Sequence, residues 1–409
     1  MRRIHYGWIT VIAGLLITAV AAGMAINCFS LFVIPVSTDL GFSRAQMGVC
    51  QTINALGFVV TSLISGWLFK KIELKKIMKV SVAVIVIAYF TYSRLHRLWM
   101  FYICAMAASM SASLLTWVPL AVILNNWFVK RRAFAIGVSF MGSGIGGMVF
   151  SSVGSRLIES IGWRSTFVVM AAVLFVVLVP IVFFILHVHP SEKGMRPYGD
   201  EGEDNEKQAD HNDDGVTVYE AAKDMRFYGI LFLALVFGLA TNGFTTTFVP
   251  HFEDQGYTRI RAGEIYSVYM LTLAVGKMIM GSLFDRFGAK ATTLTGISLM
   301  AVTLIGLIYC KVPALVAVML TCSGVGNCFP TVGLPVLARA VYGKKDYASF
   351  TGILNTAGNI GSTISPTLLG LLRDVTGTYS FGYASFLALL FAGFICAVFC
   401  VPRRKLEKR

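Results

Sequence analysis

Lys277 is the one acidic or basic residue that lies well inside an apolar run, Ile265 to Phe284. Seven residues separate it from the end of that run, which at ~1.5 Å per residue is a depth of ~10 Å. A lysine at that depth either snorkels along its stem or faces a water-filled cavity, where it would anchor an anion. On a helix, Tyr266, Met270, Leu273 and Lys277 share a face. The lower wall of that face is apolar, which suits the methyl or alkyl part of a short acid. Asn27, Gln51, Asn54, Trp117, Tyr269, Phe329, Asn355 and Asn359 are polar or aromatic residues near the middle of other apolar runs. Each is either a cavity partner or a helix-to-helix contact. No Asp or Glu falls inside an apolar run, and His5, His96, His187, His189, His211 and His251 sit in loops or at run ends. The usual carboxylate proton relay is therefore missing. Proton coupling would have to run through Lys277, the substrate or His251.

Other chemistry finds no residues to carry it. There is no phosphate-cradling glycine loop with lysine, no nucleophile and base at workable spacing and no metal-type cluster. The sequence predicts neither an enzyme nor a cofactor, and no pump driven by hydrolysis. The eight cysteines all lie within apolar runs and read as small packing residues.

The elements that position these residues follow from composition. Of 409 residues 56% are hydrophobic and only 14% charged, and the mean hydropathy is +0.71. A soluble chain would be roughly 25% charged. Twelve uncharged or nearly uncharged runs can be read: 7–38, 45–69, 80–93, 98–129, 133–155, 165–186, 227–250, 265–284, 291–310, 312–338, 347–372 and 375–402. They lack the alternation of a barrel strand, so they predict an all-α membrane protein of twelve transmembrane helices in two six-helix bundles. The third run is short, with Lys79 and Arg94 expected to snorkel at its ends. The net charge of +14 resides in the short turns, where it marks topology and not a nucleic-acid surface. Placing both termini in the cytoplasm puts basic residues there by 25 to 9.

The expected organisation is an N-terminal bundle over 1–186, an acidic cytoplasmic linker over 187–226, and a C-terminal bundle with a basic tail over 227–409. The linker holds 11 of the 21 acidic residues, and its run 200–214 has the composition of a mobile, solvated tether or a regulatory segment.

The chain also repeats itself at an offset of 215 residues. Pro35, Asp39, Gly41, Arg44 and Gly48 match Pro250, Asp254, Gly256, Arg259 and Gly263. Gly66, Leu68 and Phe69 match Gly281, Leu283 and Phe284; Lys130, Gly137, Ile145, Gly146 and Gly162 match Lys345, Gly352, Ile360, Gly361 and Gly377. Two copies of six spans face the same way and place a substrate site near the midplane between them. Lys277 has Ser62 as its mate, so its charge is not a duplicated structural device.

The stretch Gly281-Ser-Leu-Phe-Asp285-Arg286-Phe-Gly288 resembles the loop motif of major facilitator superfamily transporters, and Gly66 to Lys71 is its degraded copy. Tyr6-Gly7-Trp8 and the stretch from Trp127 through Lys130, Arg131 and Arg132 to Gly137 resemble the monocarboxylate and oxalate/formate branch. The resemblance implies alternating access, Lys277 standing where relatives carry an arginine for the substrate carboxylate, and Asp285, Arg286, Lys130, Arg131 and Arg132 serving conformational change. It also gives Trp117 and Phe329 the place of cavity aromatics. Relatives that carry dicarboxylates add a second lysine where this chain has Gly358, and animal members have a first-helix lysine where it has Ile26 or Asn27. One cationic anchor suits one carboxylate.

The implied partners are a small organic anion such as lactate or pyruvate, a proton and the lipid bilayer. Organic-anion exchange and a transporter-like sensor are the alternatives. The lack of any Asn-x-Ser/Thr acceptor fits a bacterial inner membrane.

Overall fold

The computed structural model describes residues 5–42, 44–199 and 215–401. The linker run 200–214 and the basic tail beyond 401 lie outside these residues. Among the described residues the chain is helical apart from two isolated β-bridges. It divides into two compact units, Met1–Asp200 and Glu201–Arg409.

The first unit contains α1 (Tyr6–Leu40), α2 (Arg44–Lys71), α3 (Leu74–Tyr92), α4 (Leu98–Trp127), α5 (132–161) and α6 (163–185). The second contains α7 (Met225–Asp254), α8 (259–287), α9 (289–308), α10 (Pro313–Tyr342), α11 (Tyr347–Thr376) and α12 (Ser380–Cys400). Gly162 and Gly288 have φ of 76° inside otherwise continuous helices, a conformation glycine adopts without a Cβ penalty, and they turn one long helix into two antiparallel spans. The chain therefore folds as twelve spanning helices, six to a unit. α3 is longer than its uncharged run, because Leu74 to Lys79 join the helix and Lys79 lies over the Phe183 ring at 5.1 Å.

Small residues hold each unit together along one seam. A Cβ on Gly142 would strike the Leu15 carbonyl and one on Gly146 the Ala19 carbonyl, so α5 touches α1 backbone to backbone. The second unit has the same kind of contact: a Cβ on Gly361, the mate of Gly146, would meet the Leu235 carbonyl, and one on Gly238 the Gly358 carbonyl. Side chains close the same seams. Thr18 Oγ1 donates to the Ser139 carbonyl at 2.6 Å, and Ser365 Oγ donates to the Leu239 carbonyl at 2.6 Å.

The two ends of the linker are ordered, each docked on its own unit. In the first unit Tyr198 N donates to the Trp127 carbonyl at 2.8 Å and its carbonyl accepts from Val129 N at 3.0 Å. In the second, Val216 N donates to the Tyr342 carbonyl at 3.1 Å. The bridges Phe128–Tyr198 and Gly215–Gly343 use loop residues that are repeat mates. Tyr6 and Trp8 pack on Trp127 and Phe128, so the two stretches that resemble the monocarboxylate branch form one cluster around the start of the linker. The sequence predicts a linker over 187–226 with a mobile run at 200–214, and the docked residues lie on either side of that run. The ends are fixed because unpaired backbone groups of the α4–α5 and α10–α11 loops find partners there.

Candidate functional site

Lys277 lies on α8 and is 4% exposed. α8 and α10 meet without intervening side chains: a Cβ on Gly276 would strike the Gly324 carbonyl, and one on Gly324 the Thr272 carbonyl. That approach seats Cys328 on α8, where its Sγ lies 3.4 Å from the Leu273 carbonyl and within electrostatic reach of Lys277. The next turn towards the α8 N-terminus carries Tyr269, 1% exposed. Asn327 Nδ2 donates to the Tyr269 hydroxyl at 2.8 Å, and Thr245 Oγ1 lies 3.4 Å from the same hydroxyl. Thr245, Tyr269 and Asn327, of α7, α8 and α10, thus form one polar string, and Cys328, next to Asn327, is the residue that faces Lys277 electrostatically. Asn327 was not among the residues predicted from sequence. The signal was present, since it is an amide in the middle of the apolar run 312–338, two positions before Phe329.

The other predicted residues distribute between the units. Phe329 is fully buried and stacks on Phe237 at 4.2 Å, filling the α7–α10 contact. Asn355 and Asn359 are half-buried on α11. In the first unit, Asn27 opens a 3₁₀ turn in α1 and its Nδ2 lies 3.5 Å from the Ser143 carbonyl, a helix-to-helix contact. Asn54 is buried with its Oδ1 unpaired, whereas Gln51 is exposed. Trp117 is half-buried, edge-on to Phe140 at 5.1 Å.

Of the loop-motif residues, Asp285, Arg286, Lys130 and Arg131 are exposed. Arg132 Nε donates to the Phe128 carbonyl at 2.8 Å and caps the end of α4. His251, at the end of its apolar run, is enclosed by the second unit. It is fully buried, its Nε2 lies 2.8 Å from the Leu307 carbonyl and its ring stands edge-on to Tyr383 at 5.0 Å. Among the described residues no group of His, Cys, Asp and Glu could hold a metal ion.

Residues 15–266 and 230–409 match the model of the Major Facilitator Superfamily. The chain belongs to the major facilitator superfamily. It is 23% identical over 175 residues to a "Probable hexose phosphate transport protein" of Chlamydia muridarum, covering 42% of this chain and 36% of that protein. It is also 23% identical over 288 residues to Monocarboxylate transporter 13 of Bos taurus, covering 68% of this chain and 62% of that protein. The aligned regions therefore span less than two thirds of these relatives. The fold is similar to that of the proton:xylose symporter XylE, with a TM-score of 0.76 at 12% identity over 97% of this chain and 95% of that one. It is likewise similar to the E. coli fucose:proton symporter FucP, with a TM-score of 0.71 at 14% identity over 98% and 100% of the two chains. At such identities the likeness concerns the fold. Membership places the protein in a family of membrane transporters, in keeping with its long apolar helices.

Proposed function

We propose that this superfamily member moves a short monocarboxylate across the membrane by alternating access, with Lys277 as the carboxylate anchor. The observation that carries the reading is the seat of Lys277. A cation 4% exposed, in mid-helix, is expensive in hydrocarbon, and an ionisable residue at such depth marks a functional site, here one whose charge suits an anion. Leu273 and Cys328, on the adjacent turn and the facing helix, are apolar neighbours that suit an alkyl group and offer no second cation for a dicarboxylate. Relatives named for a monocarboxylate and for a sugar phosphate also point to an anionic cargo.

Tyr269, Phe329, Asn355 and Asn359 of the second unit, and Asn27, Gln51, Asn54 and Trp117 of the first, are proposed as cavity residues. Asp285, Arg286, Lys130, Arg131 and Arg132 are proposed as the loop residues that change partners during the cycle. The proposed arrangement is a bacterial inner-membrane protein with both termini cytoplasmic, bundles over 1–186 and 227–409, and the segment 187–226 joining them.

Coupling to a proton is the first reading, because a desolvated lysine can shed its proton when the carrier is empty and regain it with the anion. Obligatory exchange of organic anions is the second. It is favoured by the lack of any Asp or Glu in the apolar runs, which leaves a permanently charged Lys277 unable to return without an anion.

The test is uptake of labelled lactate, pyruvate, formate and oxalate into proteoliposomes under an inward proton gradient, with wild type and Lys277→Gln. Gradient-driven uptake of a monocarboxylate that the variant loses is the expected result. Uptake only into anion-preloaded vesicles establishes exchange instead. Unchanged uptake by a folded Lys277→Gln protein removes the anchor. Specific binding without any flux would make the protein a sensor.

A further inference from the structure

The polar string Thr245–Tyr269–Asn327 has a direction, and its free end is an acceptor. Thr245 Oγ1 donates to the Thr241 carbonyl at 2.8 Å, and a carbonyl can only accept. The Thr245 oxygen is therefore left to receive the Tyr269 hydroxyl hydrogen across 3.4 Å. The Tyr269 oxygen in turn accepts from Asn327 Nδ2 at 2.8 Å. This sequence of donors fixes the Asn327 amide with its Oδ1 at the far end. That oxygen is buried and has no hydrogen-bond partner, on a side chain whose residue is 7% exposed. Turning the amide over would satisfy the oxygen on Tyr269 but withdraw the N–H that Tyr269 now accepts, leaving both amide hydrogens to find partners. A buried carbonyl oxygen without a donor costs about 1–3 kcal/mol, so the position calls for a ligand that brings one.

The place of this orphan acceptor decides what the ligand is. Asn327 precedes Cys328, whose Sγ lies on the Leu273 carbonyl, while Tyr269 and Lys277 are each four residues from Leu273 on α8. Asn327 therefore lies against Tyr269, and its neighbour Cys328 against Leu273, on the stretch of α8 that leads to Lys277. Taking Lys277 as the carboxylate anchor, as proposed above, we propose that Asn327 is the residue that reads the group next to the carboxylate. Its Oδ1 accepts the hydroxyl hydrogen of a 2-hydroxy acid. A 2-keto acid offers only an acceptor there, and an alkyl acid offers nothing, so both leave the Asn327 oxygen unpaired. Sites built to bond a hydroxyl discriminate strongly against analogues that lack it.

The experiment uses the full chain in proteoliposomes with labelled L-lactate, pyruvate and propionate, for wild type, Asn327→Ala, Tyr269→Phe and Lys277→Gln, each checked for a monodisperse, cooperatively melting protein. Wild type should take lactate roughly tenfold better than pyruvate or propionate. Asn327→Ala should abolish that preference by lowering lactate uptake more than uptake of pyruvate or propionate. Tyr269→Phe removes the group that orients the amide, lets an N–H face the ligand, and should turn the preference towards pyruvate. A merely structural role would instead lower all three acids in proportion.

Equal wild-type uptake of the three acids, proportional loss in Asn327→Ala, or an unaltered preference in Tyr269→Phe each overturns the assignment of Asn327. Should Asn327→Ala fail to fold, Tyr269→Phe decides alone. Unchanged uptake by Lys277→Gln overturns the anchor and leaves the selectivity data to stand by themselves. A wild type that carries none of the three acids overturns both proposals.

Discussion

The helices α1 and α7 are repeat mates with the same glycine contact to their neighbours, yet they are built differently. α7 is one continuous helix from Met225 to Asp254. α1 passes from α-helix into a π stretch at Thr18–Met24 and a 3₁₀ stretch at Asn27–Phe32. The change of winding exposes backbone carbonyls, one of which, that of Ala25, accepts from the buried Tyr89 hydroxyl of α3. The polar string differs in the opposite sense. Lys277, Tyr269, Asn327 and Cys328 in the second unit correspond to Ser62, Asn54, Ala112 and Ser113 in the first. Duplication preserved the small-residue seams that hold six helices together and let the mid-span chemistry diverge. The seam is a packing requirement on both copies, whereas one anionic group needs one cation.

The sharpest way to break this comparison is to move the charge. Lys277→Gln is expected to reduce monocarboxylate uptake by roughly 30-fold or more, the effect of stripping a buried charge of its partner. Adding Ser62→Lys to it should not restore uptake. Recovery in the double variant, measured in the same proteoliposomes, would show that the two units are interchangeable at this depth.

The seam predicts equality where the site predicts difference. Gly146→Ala and Gly361→Ala each drive a methyl into a facing backbone carbonyl and should cost about 1–3 kcal/mol apiece by denaturant or thermal melting in detergent. Gly358→Ala is the control, because its Cβ would find ordinary contacts at 3.5 and 3.6 Å, and it should be nearly neutral. A costly Gly358 variant or a harmless Gly146 variant would contradict the seam.

A smaller contrast lies at the far ends of α1 and α7. Asp254 takes a two-pronged bond from Arg373, at 2.9 and 3.0 Å, while its mate Asp39 receives Arg164 at 3.3 Å and the Trp163 indole at 3.1 Å. Both pairs are partly exposed, so each Asp→Asn change should cost under about 1 kcal/mol, with Asp254 the larger.

The smallest effect concerns the linker end on the second unit. The Thr217 backbone N–H, and then its hydroxyl, hold the Glu220 carboxyl below its ordinary value of 4.5. A lowered folded value means that the cap's contribution is complete above the ordinary value and is lost as the pH falls through the lowered one. Hydrogen-exchange protection at 218–224, taken relative to the intrinsic rate at each pH, should therefore fall below about pH 4 and stay flat from about pH 5 to 8.

Much of this was legible in the chain. The twelve spans, the fold and the repeat follow from where charge is absent and where glycine recurs. The glycines at 162 and 288 were read as turn and loop residues, and both break a helix. Lys277 stood out for the same reason as the spans, since a lone charge in an apolar run needs no structure to be noticed. Asn327 did not stand out, because a polar residue in mid-span is as often a helix-to-helix bond as a ligand. Only the orientation of Tyr269 and Thr245 reveals that its oxygen is the unpaired end of a string. The order at 187–199 and 215–226 was hidden for a related reason. The linker composition is that of a solvated tether, and its pairing depends on loop carbonyls at Trp127 and Tyr342 that are distant in sequence.

The sequence by itself determined that this chain lives in a bilayer, in two copies of six helices, with a single cation at depth, because burial costs for charge and backbone are paid residue by residue along each span. The tertiary structure alone decided which groups meet that cation, which amide ends a hydrogen-bonded string and where the linker is held. Those depend on close approach between helices, and close approach is a property of pairs of surfaces that no single run of residues contains.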